Sequence, residues 1–359
     1  MSINKFTINI EGDYVDSYIY SGLLILVDID YKLTIYKWEQ LFNQGLSGLN
    51  SFKLLALKSL ILDSRVKIPK IELTNITISK RILNSAKLFT FDIGVWPSDI
   101  NIFSNQLYIS SEKGVSKLSL NYKDGSLSSE IKLFDEMCFS VSPNSHGRLA
   151  FAAGKSGVLT LLPLSKFHSQ NHIKQLVSDV CVDLDWQSTK LFASTVHGVV
   201  EATFVKMPKQ SDFEETSEFW NEVKLNKETK PRIERNTEEK MSWIAGDKKY
   251  SFLNNGNIKI GYFECEASTI ETNFNDNILK ARTAAFGTVL ETDDELFSFI
   301  GNDIIPLGKE PVSWRVFPRA KNYANQLHIV QDEHIEITII ESLAENKFGF
   351  DTSKIDLQG

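Results

Sequence analysis

Apolar and polar positions alternate in short runs along most of this chain. Phe6, Ile8 and Ile10 are separated by polar neighbours, the period of two that a half-buried strand shows. Residues 14–20, 23–27 and 31–38 continue in the same style. Farther on, the alternation settles into a unit of strand, glycine-bearing turn and strand. Residues 105–120, 147–162 and 189–204 align on Leu107, Leu149 and Leu191, which stand 42 residues apart, with Gly114, Gly157 and Gly198 at the turns. A period of this length marks stacked or radial repeats, in which one unit alone cannot bury its apolar faces.

Two stretches break the pattern. From Trp38 to Leu62 the apolar residues Leu41, Phe42, Leu46, Leu49, Leu54, Leu57 and Ile61 recur at steps mostly of three to five, which predicts helix. Residues 66–78 then return to an extended pattern. The interval from Leu24 to Leu107 is close to two periods, so a degenerate unit could occupy it, but no glycine lies between residues 49 and 93. A helical insertion at 39–65, after the first unit, is the better reading. Residues 206–240 carry eight Lys/Arg and nine Asp/Glu and predict a charged surface insertion, with Ser211 capping a short helix that bears Phe213, Trp220 and Val223.

The pattern resumes with anchors at Tyr250, Leu296 and Leu327, and Leu24 anchors the first unit. The last interval, 31 residues, is short, so a strand there is missing or borrowed, and the strand at 6–10 is placed to complete it. In period and pattern, residues 1–345 resemble the β-propeller superfamily, WD40-like in class. The family's Trp-Asp dipeptide is absent; Asp185-Trp186 and His197-Gly198 reverse its usual orders. The resemblance implies one all-β ring of seven blades of about 42 residues, with residues 346–359 as a tail or closing strand. Tandem β-sandwiches or a β-helix would be the alternatives, and the period is too long for β-helix coils.

Composition narrows the function. A chain of 359 residues with 42% apolar and 24% charged residues is of ordinary globular type. Its net charge of −7 argues against a general nucleic-acid or anionic-membrane binder. Cys138, Cys181 and Cys265 are widely spaced, without a CxxC pair, so no disulfide framework is expected and the compartment is reducing. The N-terminal residues lack the apolar core of a signal peptide, and no apolar run reaches membrane-spanning length. The expected location is cytoplasmic.

Candidate chemistry is sparse. In a regular strand, Asp179, Cys181, Asp183 and Asp185 would share one side, opposite Val180, Val182, Leu184 and Trp186. On the innermost strand of a blade, those carboxylates would line the central channel, able to hold a cation or to serve as acid and base. They could equally cap turns, as could Asp28 and Asp30. His168 and His172 stand four apart without a following Glu or an evident third ligand. No GxSxG, Walker A or GxGxxG pattern occurs. Phe219 and Trp220, with Phe213, are unusual within a charged insertion and could anchor an interface or dock the insertion on the ring. The expectation is a non-catalytic protein–protein interaction scaffold without cofactor. An immunity or inhibitor protein for a basic toxin or enzyme is the first alternative, and a hydrolase or lyase using channel carboxylates the second.

Overall fold

The repeat unit is a meander of four antiparallel strands. In blade 4 these are Cys181–Gln187, Lys190–Thr195, Gly198–Thr203 and Arg232–Asn236, hydrogen-bonded in that order from inside to outside. The second and third strands have sheets packed against both faces, so they read as nearly continuous apolar runs, as in Leu23–Asp28. The outer strand of blade 4 is mostly exposed and charged. The recurring glycine has a steric cause. Gly198 opens the third strand at φ +105°, and a Cβ there would lie 2.5 Å from the Asn236 carbonyl oxygen of the outer strand. Gly114 occupies the same place in blade 2, 2.0 Å from the Phe134 carbonyl oxygen.

The computed structural model describes residues 5–68, 75–162, 173–262, 265–272, 277–300 and 303–341. Seven such sheets stand around one axis. Blades 1, 2 and 3 begin with the innermost strands Tyr14–Tyr20, Pro97–Phe103 and Ser140–Pro143. Blades 5, 6 and 7 begin with Glu239–Ala245, Ile278–Ala284 and Ser313–Val316. These inner strands touch in turn around the channel. Between blades the side chains form separate apolar layers. Leu184, Trp186 and Leu191 of blade 4 pack on Ala150, Ala152 and Val158 of blade 3; Trp243 and Tyr250 of blade 5 pack on Ala281 and Leu290 of blade 6. The arrangement is a seven-bladed β-propeller.

The anchors Leu24, Leu107, Leu149, Leu191, Tyr250 and Leu327 all fall in second strands, but Leu296 falls in the third strand of blade 6, Glu295–Ile300. The second strand there is Gly287–Thr292. Both middle strands are buried on two faces, so apolar pattern alone cannot tell one from the other. Blade 7 nevertheless borrows a strand as expected. Lys5–Glu11 pairs antiparallel with His334–Ile340 along its whole length, from Lys5 opposite Ile340 to Glu11 opposite His334. Residues 346–359, expected as a tail or closing strand, lie outside the described residues.

The helical insertion lies within blade 1, between its third strand Lys32–Lys37 and its fourth, Lys87–Asp92, rather than after the blade. It contains α1 (Trp38–Gly45), α2 (Ser51–Leu62) and α3 (Lys80–Ser85). Its strand Ile76–Ile78 adds in parallel to Lys5–Glu11. Trp38, Phe42, Leu57 and Leu60 pack on Phe6, Ile8 and Ile337, so the insertion covers the seam where the ring closes. The last turn of α2 leaves free carbonyls: Asn325 Nδ2 donates to Leu60 O at 3.0 Å and Gln326 Nε2 to Ile61 O at 3.4 Å. The charged insertion is shorter than 206–240. It holds α4 (Thr216–Glu228), whereas 232–236 is the outer strand of blade 4 and Glu239 already begins blade 5. Ser211 does not cap α4, which starts after Glu215.

Candidate functional site

The channel is shaped by an irregularity repeated in the inner strands. Pairing with the second strand shifts register between Tyr14 and Asp16, Pro97 and Asp99, Cys181 and Asp183, and Ile278 and Lys280. Such a bulge adds one residue and re-aims the side chains beyond it. In blade 4 it breaks the alternation read from the sequence. Cys181 joins Leu184 and Trp186 in the layer against blade 3, while Asp183 and Asp185 line the channel. Asp179 precedes the strand and pairs with Arg235 at the end of the outer strand.

The channel encloses a cavity of about 280 Å³, walled by Tyr18, Asp99, Asp183, Asp185, Lys280, Arg282, Arg315 and Arg319 among others. Its carboxylates are engaged. Arg282 grips Asp183 through both guanidinium ends, at 2.6 and 2.7 Å. Arg315 does the same to Asp16 at 2.7 and 2.6 Å and reaches Asp99 at 3.1 Å. Arg319 donates to Asp185, which also accepts the N–H of Trp186 and, in blade 5, that of Ile244, both at 2.8 Å. Asp99 accepts from Ser140 Oγ at 2.9 Å and Val141 N at 3.3 Å in blade 3. Each carboxylate therefore ties its blade to another. Burial alone would lower the Arg282 guanidinium's pKa, but the charge and hydrogen bonds of Asp183 raise it above its ordinary value. The paired arginines and carboxylates in this wall link inner strands of different blades.

Lys280 differs from the arginines. Its Nζ donates to the Trp314 carbonyl at 2.8 Å and sits 4.5 Å from the centre of the Trp314 ring. Burial, and then the charges of Arg315 and Arg282, push its amine down to about 8. Trp186 and Trp243 serve as inter-blade links, through Nε1–H donated to Ser142 O and to Thr283 Oγ1, both at 2.9 Å.

Of the sequence candidates, Asp183 and Asp185 meet in the channel and Asp179 does not. Asp28 accepts the N–H groups of Asp30 and Lys32 in a turn. Phe213, Phe219 and Trp220 meet edge to face, with ring centres 6.0 and 4.9 Å apart for successive pairs, and are half-buried. They belong to the insertion after a third strand, at the end of the ring opposite the connectors between blades. His168 and His172 lie outside the described residues. Cys138 and Cys181 are free, buried thiols. Sequence reasoning missed Asp16, Asp99, Lys280, Arg282, Arg315 and Arg319. A signal for the carboxylates existed, since Asp16, Asp99 and Asp183 stand 83 and 84 residues apart, two periods each. The basic residues come from blades 6 and 7 without a shared spacing.

No helix among the described residues is long and apolar enough to cross a membrane. No family model matches the chain, and no curated protein matches it. Among solved structures, PorZ of Porphyromonas gingivalis, a surface component of the type-IX secretion system, matches at TM-score 0.48 and 11% identity, over 93% of this chain and 38% of that one. The β-propeller domain of Myceliophteria thermophila Cps50 (Swd1) matches at TM-score 0.56 and 9% identity, over 92% of this chain and 98% of that one. That match and the seven-sheet ring agree: the chain has the fold of a seven-bladed β-propeller.

Proposed function

We propose that this propeller is a non-catalytic scaffold that binds another protein on the face carrying the connectors between blades. The observation behind this reading is where exposed apolar side chains gather. Phe139, Val182 and Leu279 are exposed and rim the channel mouth. Trp96, Met137 and Val312 are exposed on the connectors that lead into blades 2, 3 and 7. Exposed aromatic and methionine side chains on a rigid frame are the groups that carry binding energy at protein interfaces. The channel carboxylates favour the same reading, because their lone pairs are taken up by arginines and backbone N–H groups.

An immunity or inhibitor protein is one form of such a scaffold, distinguished by loss of the partner's own activity on binding. The test is co-purification from the native host with wild type, Phe139→Ser/Leu279→Ser and Trp220→Ala, each shown to fold by its melting curve. A stoichiometric partner kept by wild type and Trp220→Ala but lost from the double variant is the expected result. Loss from Trp220→Ala alone would place binding on α4 instead.

A further inference from the structure

The meander decides which loops share a face. Strands alternate in direction, so the connectors from an outer strand to the next inner strand emerge at the same end as the hairpins between second and third strands. The insertions carrying α1 to α4 follow third strands and leave from the opposite end.

Charge divides along the same line. Exposed carboxylates stand at most connectors: Asp13 before blade 1, then Glu136, Glu238, Glu271, and Glu310 before blade 7. No lysine or arginine occurs in the sequence of any connector. The hairpins on this face add Asp30, Glu112, Asp293, Asp294, Asp332 and Glu333 against Lys113 and Lys155. The whole chain carries only −7, so its acidic excess is concentrated here, while the opposite face is mixed in sign. Inside this acidic rim lie Phe139, Val182 and Leu279.

Given the scaffold reading above, on which this inference rests, we infer that the connector face receives a basic protein segment with apolar side chains set between its lysines or arginines. The apolar mouth would take the side chains that the carboxylate rim cannot hold. The rim would attract cations over a screening distance of about 8 Å in physiological salt and repel acidic partners.

The probe is a short fluorescein-labelled peptide alternating Lys/Arg with Leu/Phe, compared by anisotropy with a twin carrying Glu in place of Lys/Arg. The proteins are wild type, Glu136→Gln/Glu238→Gln/Glu310→Gln, Phe139→Ser/Leu279→Ser, and an opposite-face control, Glu214→Gln/Glu218→Gln. Wild type and control are expected to hold the basic peptide about tenfold more tightly than its twin, and the triple variant to lose most of that preference, as does wild type at raised salt. Equal affinity for the two peptides, or an unchanged triple variant, overturns the inference. If the basic preference holds while Phe139→Ser/Leu279→Ser binds as wild type, the charge chemistry stands and the apolar-face reading fails. If that double variant loses the natural partner but neither peptide is preferred, the face binds a partner that is not basic and only this inference falls.

Discussion

His328 makes ring closure sensitive to acid. It is fully buried on the second strand of blade 7, Gln326–Val330, with Nδ1 2.7 Å from Ser17 Oγ on the inner strand of blade 1. Its Nε2 lies 3.3 Å from Gln326 Oε1, and its ring meets the Phe317 ring edge-on at 4.8 Å. Burial, and then the charge of Arg315, push the imidazole from 6.5 down to about 3. The folded ring therefore keeps His328 neutral, while the unfolded chain takes up a proton below 6.5. Stability is full above 6.5 and falls as the pH drops from there toward 3. Each unit of this window contributes about 1.4 kcal/mol, so about 2 kcal/mol is lost by about pH 5. Urea unfolding followed by tryptophan fluorescence, at about pH 7 and about pH 5, measures it for wild type and His328→Asn. Other groups also titrate in this range, so the quantity of interest is the difference between the proteins. Wild type should lose about 2 kcal/mol more than the variant on acidification. Equal losses would refute the argument, because the burial of a neutral imidazole at the seam would then carry no proton linkage.

Asp183→Asn should destabilise the ring by about 3 kcal/mol, because it leaves Arg282 in the channel wall without its bidentate partner; recovery of most of that loss in Asp183→Leu/Arg282→Met, by the same unfolding assay, would separate an unpaired charge from lost packing. Lys280 titrates near 8 in the folded ring against 10.5 in the unfolded chain, so its neutral form is favoured on folding and stability rises with pH above about 8. Cys138, raised by burial from 9 to about 12, acts in the opposite direction above 9, which leaves a rise of about 1 kcal/mol between about pH 8 and pH 9; melting curves of Lys280→Met should lack it. Gly198→Ala should cost about 2 kcal/mol or more, since φ is +105° and the added Cβ meets the Asn236 carbonyl oxygen at 2.5 Å, whereas Gly48→Ala, where a Cβ meets nothing within 4 Å, should be nearly neutral.

Much of the ring was legible from local pattern. The interval between Leu107, Leu149 and Leu191, the turn glycines and the N-terminal alternation at Phe6, Ile8 and Ile10 all follow from strands that must be buried between neighbours. The outer strand of blade 4 was not legible. Residues 232–236 are charged and exposed on the rim, so nothing in their polarity marks them as strand, and their pairing with Gly198–Thr203 is what makes them one. Leu296 was misplaced for the reverse reason, because two adjacent strands share the same fully buried pattern.

By itself the sequence determined the class of fold, the approximate number of units and the borrowing of the first strand, since these depend on period and apolar spacing. Only the tertiary structure decided the chemistry of the channel. Asp183 meets Arg282 across 99 positions and Asp16 meets Arg315 across 299. Bulges at the inner strands set which side chains turn inward. Contacts of that range arise when the ring closes and brings inner strands together around one axis, and no local periodicity encodes them.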